Sequence, residues 1–457
     1  MVKRLVLGLF LLPLVGLVLL WAVAGIAPRD YRDAIALATG IGAKLACSGK
    51  YLSGFDEERN ADDLASYSVL TRLLSLRPVE PMGISASFFG GSTAVARFRP
   101  GLGCTLEYSD KSPLDSVLVK PSAVSSTELW PKGRLAGPAD PRMAALLSEL
   151  VAEDNDAGYD TRALLVVRDG RILGEAYAEG FDETTPLLGW SMGKTVTAIL
   201  LGRLQAMGKL AVSERGLFPE WSGDERNTIS LENLLQMSSG LLFTENYVPG
   251  SDSTRMLFMS PSASDVAMRS VLEYMPGTFF AYSSGTTNLL ARLMFERAGG
   301  SVQAQMDFIS HEISEPMALE ATTMEPDASG IFVGSSFIYA SARDWARFGY
   351  LLINHGQING HRLLGEEWMA RASEPNHSSN DRRYGYQVWL NSGGPNLRWP
   401  SLPPLAYAMQ GNRSQVVMMV PEMKVVIVRL GWSANEYPVD SKFSQIMAEL
   451  ERRSTSK

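Results

Sequence analysis

The sequence predicts an α+β fold. One antiparallel sheet is assembled from both ends of a large domain, with terminal helices flanking it and a separate helical cluster between the two halves. Three observations carry this expectation. Residues 163–167 and 172–177 are apolar runs joined by Asp169-Gly170, turn chemistry that suits a hairpin. Residues 415–420 and 424–430 are two more apolar strands, and 441–452 follows them with helical spacing. The segments between these halves read mostly as helices.

At 457 residues the chain is long enough for one large domain and an accessory one. With 46% hydrophobic and 20% charged residues it has the composition of a globular protein with ample core. The net charge of −7, and the lack of any Lys/Arg block with interleaved aromatics, argue against nucleic acid as a partner.

The N-terminus begins Met1-Val2-Lys3-Arg4, and residues 5–28 carry no charge. That run is long enough to span a bilayer. Ala22-Val23-Ala24 also fits the cleavage pattern of a secretory signal, but the length of the run favours an uncleaved anchor. Either reading leaves Lys3 and Arg4 in the cytoplasm. The rest of the chain is then held outside at the inner membrane, in the periplasm, or secreted if the segment is cleaved. Cys47 and Cys104 are the only cysteines. In an oxidising compartment such a pair is most simply a disulfide, the alternative being two unrelated buried thiols.

In order along the chain, residues 30–44 read as a helix and 61–76 as a second. Strands over 84–89 and 93–98 meet at Gly90-Gly91-Ser92, a hairpin turn. Residues 130–138 are rich in Pro and Gly without periodicity, which places a domain boundary there. The expected division is therefore an anchor or signal at 1–28, an accessory domain at 30–130, a linker at 131–141 and the main domain at 142–457. In the main domain, helices are expected over 142–152, 229–235, 264–274 (ending at Pro276-Gly277), from Tyr282-Ser283-Ser284-Gly285 through Arg297, and over 342–354.

Two incompatible motifs overlap at the start of the main domain. Gly189-Trp190-Ser191-Met192-Gly193 matches the G-x-S-x-G nucleophile elbow, and Ser191-Met192-Gly193-Lys194 matches S-x-x-K. The elbow needs a buried strand just before the serine and a histidine base. Residues 182–188 form a polar, proline-containing turn instead. The four histidines, His311, His355, His361 and His377, read as solvated rather than catalytic. The S-x-x-K reading has a physical basis: three residues apart on a helix, Ser191 and Lys194 share one face. Burial in that apolar helix would disfavour the ammonium, leaving a lysine able to act as general base.

Leu234-Leu235-Gln236-Met237-Ser238-Ser239-Gly240-Leu241, Pro276-Gly277, Tyr282-Ser283-Ser284, the stretch from Tyr339 to Gly349, and Gly411 through Gln415 follow the S-x-x-K in order. With these motifs the chain resembles the class C β-lactamase-related serine hydrolases, most closely the 6-aminohexanoate-dimer hydrolases and related esterases. The resemblance runs from about Ala163 to the C-terminus. It implies a β-lactamase/transpeptidase-like fold and an acyl-enzyme mechanism with Ser191, Lys194 and Tyr282 as catalytic residues. It also implies an oxyanion hole from the Ser191 and Asn412 N–H groups, and substrate contacts from Gly411 and from Tyr247 in its loop. Ser284 stands where the family usually has Asn, so its orienting role is open. Met409 stands where β-lactamases and transpeptidases carry Lys or His, which removes a charge-assisted contact worth roughly 1.5–3 kcal/mol to a substrate carboxylate. Arg413 is a candidate replacement. Hydrolysis of a small amide or ester is therefore expected ahead of peptidoglycan D-Ala-D-Ala peptidase or penicillin-binding activity, and ahead of a non-catalytic anchored binding protein. No cofactor or metal is implied.

Overall fold

The computed structural model describes residues 31–109, 111–120 and 123–454. The anchor or signal expected over 1–28 lies outside the described residues. Among those described, no helix is long and apolar enough to cross a membrane.

The first helix, α1 (Tyr31–Tyr51), runs beyond the expected 30–44 because its last turns bury Ala43, Leu45, Ala46 and Cys47. In α2 (Glu57–Ala65) the Asp56 side chain caps the start by accepting from the Arg59 N–H at 2.8 Å. The helix expected over 61–76 ends there. A 3₁₀ turn (Val69–Leu73) and strand β1 (Leu74–Val79) replace its second half. Sheet pairing explains this: Leu74–Val79 pairs with the following strand, and Pro78, which lacks an N–H, is tolerated because β1 is an edge strand. Strands β2 (Gly83–Phe88) and β3 (Thr93–Arg99) form the expected hairpin, and β4 (Gly103–Leu106) completes a sheet in the order β1-β2-β3-β4. Cys47 on α1 is bonded to Cys104 on β4, so the pair is a disulfide and not two separate thiols. Strands β5 (Ser125–Leu129) and β6 (Gly133–Leu135) form a short parallel pair in the Pro/Gly-rich stretch.

Helix α3 (Pro141–Asp156) leads into the hairpin β7 (Thr161–Arg168) and β8 (Arg171–Tyr177). A two-residue strand β9 (Leu187–Leu188) then precedes α4 (Gly193–Ala206). The helical cluster follows as α5 (Leu231–Leu235), α6 (Asp252–Phe258), α7 (Ala263–Met268), α8 (Ser284–Ala298) and α9 (Val302–Ile309). Here α7 is shorter than the expected 264–274. Past Met268 the backbone pairs with the Gly240 segment instead, with the Leu242 N–H donating to the Val271 carbonyl at 2.9 Å. Next come β10 (Thr323–Met324), β11 (Ile338–Ala340), α10 (Ala342–Ile353), the small hairpin β12 (Gln357–Ile358) and β13 (His361–Arg362), and α11 (Glu366–Ala372). The chain closes with β14 (Trp389–Leu390), β15 (Tyr407–Gly411), β16 (Gln415–Val420), β17 (Val425–Gly431) and α12 (Val439–Ser454).

The main sheet has the order β14-β15-β16-β17-β7-β8, antiparallel throughout, so the two ends of the domain meet at β17 and β7 as expected. Its inner strands β7, β16 and β17 are buried on both faces, and alternate residues serve different cores. Leu164, Val166, Met418 and Ile427 face α3 and α12, packing on Leu147, Leu150, Phe443 and Ile446. Leu165, Val167, Val417 and Val428 face the helical cluster with Val196, Leu200, Leu289 and Trp345.

The N-terminal segment shares a third core with the main domain. Cys47, Ala86, Ala96 and Cys104 cluster with Trp190, Phe258, Phe337 and Trp432. A buried polar link crosses the same boundary. Lys44 pairs with Glu325, which also accepts from the Ser48 hydroxyl at 2.8 Å and the Cys104 N–H at 2.6 Å. Such a pair tolerates burial only when its remaining hydrogen bonds are made.

Candidate active site

Ser191 sits on a 3₁₀ turn (Trp190–Met192) between β9 and α4. The turn is anchored from both sides. The Gly189 N–H donates to the Ile338 carbonyl at 2.9 Å, and Trp190 is buried against Tyr67, Phe337 and Trp432. Trp190 has φ +49°, a left-handed conformation that costs a non-glycine residue about 1–2 kcal/mol and persists only when packing enforces it. Gly411, at the end of β15, lies so close to this turn that a Cβ there would sit 2.1 Å from the Gly189 carbonyl oxygen. A Cβ on Gly189 would in turn strike the Trp345 ring at 2.1 Å. The glycine matching the elbow motif is thus a packing requirement. The preceding strand is only two residues long and lies outside the main sheet, and no histidine lines the cavity around Ser191.

Lys194 is buried one turn later. Its Nζ lies 3.0 Å from Ser191 Oγ and 2.9 Å from Ser284 Oγ, and donates to the Ser335 carbonyl at 3.2 Å. Burial pulls its pKa down to about 8, while the Glu245 charge raises it. The protons around Nζ can be assigned. The Ser335 carbonyl only accepts, and the Ser284 hydroxyl donates to Glu245 Oε1 at 2.5 Å, so toward lysine Ser284 also accepts. A neutral amine has two hydrogens and one lone pair. The two hydrogens go to Ser335 and Ser284, which leaves the lone pair for the Ser191 hydroxyl.

Tyr282 closes the other side. Its ring stacks on Trp389 at 5.1 Å between centroids, with Lys194 Nζ 4.9 Å from the ring centre. Burial pushes its hydroxyl well above the usual tyrosine range, Tyr384 and Glu245 add to this, and a hydrogen bond with Ser191 opposes it. Tyr282 immediately precedes Ser283, whose side chain caps α8 by accepting from the Thr286 N–H at 3.1 Å. Ser284 therefore opens α8, and Glu245 occupies the positive end of that helix.

Glu245 had no role in the sequence reading. Its carboxylate accepts from the Ser284 N–H at 2.7 Å and from the Tyr247 hydroxyl at 3.2 Å, in addition to the Ser284 hydroxyl. The signal was its position two residues before Tyr247, which puts both side chains on one side of an extended loop. Trp389 and Arg398 were missed too, and no motif marks them. Arg398 stacks 4.3 Å above Trp389 and lines the cavity.

The structure brings Ser191, Tyr247, Tyr282, Gly411, Asn412 and Arg413 to one open cavity of about 1000 Å³, with Lys194 and Ser284 buried behind it. Arg413 is placed differently from a free carboxylate-binding cation. It is only 9% exposed, with its guanidinium 3.9 Å above the Tyr67 ring. Met409 does not line the cavity and is buried among the core residues facing the helical cluster. Among the described residues, no group of three or more His, Cys, Asp or Glu is arranged to hold a metal ion.

Comparison with known proteins identifies a family and several relatives. Residues 143–441 match the family described as Beta-lactamase. A 6-aminohexanoate-dimer hydrolase of Paenarthrobacter ureafaciens is 26% identical over 251 residues, covering 51% of this chain and 63% of that protein. A Bacillus anthracis structure provisionally named a 6-aminohexanoate-dimer hydrolase superposes with a TM-score of 0.55 at 22% identity, over 77% of this chain and 92% of that one. A family VIII carboxylesterase superposes with a TM-score of 0.54 at 12% identity, over 67% and 97%.

Proposed function

We propose that this chain, which belongs to the beta-lactamase family, hydrolyses a small amide or ester through an acyl-enzyme on Ser191. One observation carries the proposal: buried Lys194, its pKa lowered to about 8, lies 3.0 Å from the Ser191 hydroxyl, and when neutral it can serve Ser284 and Ser335 with its two hydrogens and Ser191 with its lone pair. Neutral Lys194 takes the hydroxyl proton as Oγ bonds to the carbonyl carbon. The carbonyl electron pair moves to oxygen, where the Ser191 and Asn412 N–H groups hold it. As the tetrahedral species collapses, the bond to the leaving group breaks. Tyr282 protonates that group and recovers a proton from Lys194. Water then adds to the ester carbon, its proton passing to the Tyr282–Lys194 pair and on to Ser191 as Oγ departs. The sum is one water consumed and an acid plus an amine or alcohol released.

Met409 is apolar and does not line the cavity, so that position offers no cation to a substrate carboxylate, which supports an amide or ester over a β-lactam. The names of the Paenarthrobacter hydrolase and the carboxylesterase support the same substrate class. The Cys47–Cys104 disulfide supports an exported domain, held outside the inner membrane by residues 1–28 or released from it.

A panel of p-nitrophenyl esters, short amides and nitrocefin, assayed with the protein and with Ser191→Ala, tests the reading. Turnover of an ester or amide that disappears in the variant is expected. Equal turnover by both would refute it.

A further inference from the structure

A second cavity, of about 730 Å³, lies beside the first. Its floor is Trp190 and Phe258, and one wall is a stripe of α1: Ala34, Ile35, Ala38 and Ile41. These positions recur at helical spacing on one face and remain partly exposed in the described chain. More than half of the lining comes from residues before 143, outside the stretch that matches the family. The N-terminal segment therefore builds a groove that the family domain alone does not provide.

Tyr247, Asn412 and Arg413 line both cavities, so the groove is continuous with the space around Ser191. Tyr282 and Gln410 line only the catalytic cavity. The whole is therefore polar at the reacting end and apolar along α1, the profile of an amphiphile.

We infer that the groove is the acyl subsite and takes a single unbranched aliphatic chain, so that the preferred substrate is a medium- or long-chain acyl ester or amide. This rests on the proposed acyl-enzyme chemistry. In that reading the oxyanion faces Asn412, and the leaving group departs toward Tyr282. The acyl chain must extend from the carbonyl carbon away from Tyr282, past the residues that the two cavities share. An apolar groove binds such a chain by removing it from water, and each added methylene contributes.

The test compares kcat/KM for p-nitrophenyl acetate, hexanoate and decanoate, kept below their micellar concentrations, in the parent and in Ala38→Trp and Ala34→Trp. Both substitutions fill the groove from a half-exposed helix face without touching Ser191, Lys194 or Tyr282. The parent is expected to favour decanoate over acetate by at least roughly tenfold. The Trp variants should lose that preference and keep acetate hydrolysis within about twofold. Acetate hydrolysis without a chain-length preference would overturn the subsite and leave the serine-hydrolase reading standing; so would equal losses on every ester. The former outcome is also what occupancy of the groove by residues 1–28 of the same chain would give. No ester hydrolysis, together with no fluorophosphonate labelling of Ser191, would remove the underlying chemistry and the subsite with it.

Discussion

Glu245 receives both the backbone N–H and the hydroxyl of Ser284, at 2.7 and 2.5 Å, and Ser284 Oγ lies 2.9 Å from Lys194 Nζ. The carboxylate fixes which way the Ser284 hydrogen points, and so which way the lysine lone pair points. It is a positioning residue one step removed from the reacting atoms.

This gives a signed expectation for pH. Lys194 must be neutral to accept the Ser191 proton, so kcat/KM should rise with pH through about 8. The Glu245 charge raises the lysine pKa. Glu245→Gln removes the charge, lowers that pKa and should move the acid limb to lower pH. It should also reduce the plateau, because the amide no longer offers two acceptors to Ser284. A pH–rate profile of the two proteins decides it, and an acid limb that stays in place or moves upward contradicts the assignment.

Ser191 and Lys194 act as one unit in this mechanism. Ser191→Ala and Lys194→Met should each lower kcat by roughly 10³-fold or more, and the double variant should be no worse than the poorer single one. Multiplying losses in a double-variant cycle would mean that the two side chains serve separate steps.

Gly411→Ala places a methyl group 2.1 Å from the Gly189 carbonyl oxygen. Either β15 or the Ser191 turn must shift, and a displacement near 1 Å costs roughly 100-fold in rate. Activity should fall by about that factor while circular dichroism stays native-like. Full activity in the alanine variant would show that the oxyanion side of the cavity tolerates movement.

The Cys47–Cys104 bond closes a separation of 57 residues and joins α1 to β4. In the chain-entropy picture such a loop contributes about 4 kcal/mol at 25 °C. Reduction, or Cys47→Ser with Cys104→Ser, should lower the melting temperature and weaken decanoate hydrolysis before acetate hydrolysis, since α1 forms the wall of the groove. Unchanged melting on complete reduction would assign the bond no structural role.

Legibility in the sequence followed the range of the interactions. The hairpin at Asp169-Gly170, the strands β16 and β17, and the terminal helix are specified by local pattern, and each falls within a few residues of its expected bounds. The spacing of Ser191 and Lys194 likewise encodes their contact. The second half of the 61–76 helix failed because sheet pairing with β2 outweighs local helical spacing. Trp389, on β14, and Arg398, in the loop that follows, were not legible as site residues, since only tertiary packing brings them to the cavity, and Glu245 was marked only by its place two residues before Tyr247. The burial of Arg413 depends on Tyr67, from a segment outside the family match, so no family motif announces it.

The central claim is that Ser191 carries the acyl group between two half-reactions. Rapid quenching during p-nitrophenyl ester turnover, followed by peptide mass spectrometry, tests it directly. An acyl mass is expected on the peptide containing Ser191, formed at the rate of the p-nitrophenol burst and absent in Ser191→Ala and Lys194→Met. Turnover with no covalent adduct, or an adduct on another residue, would contradict it.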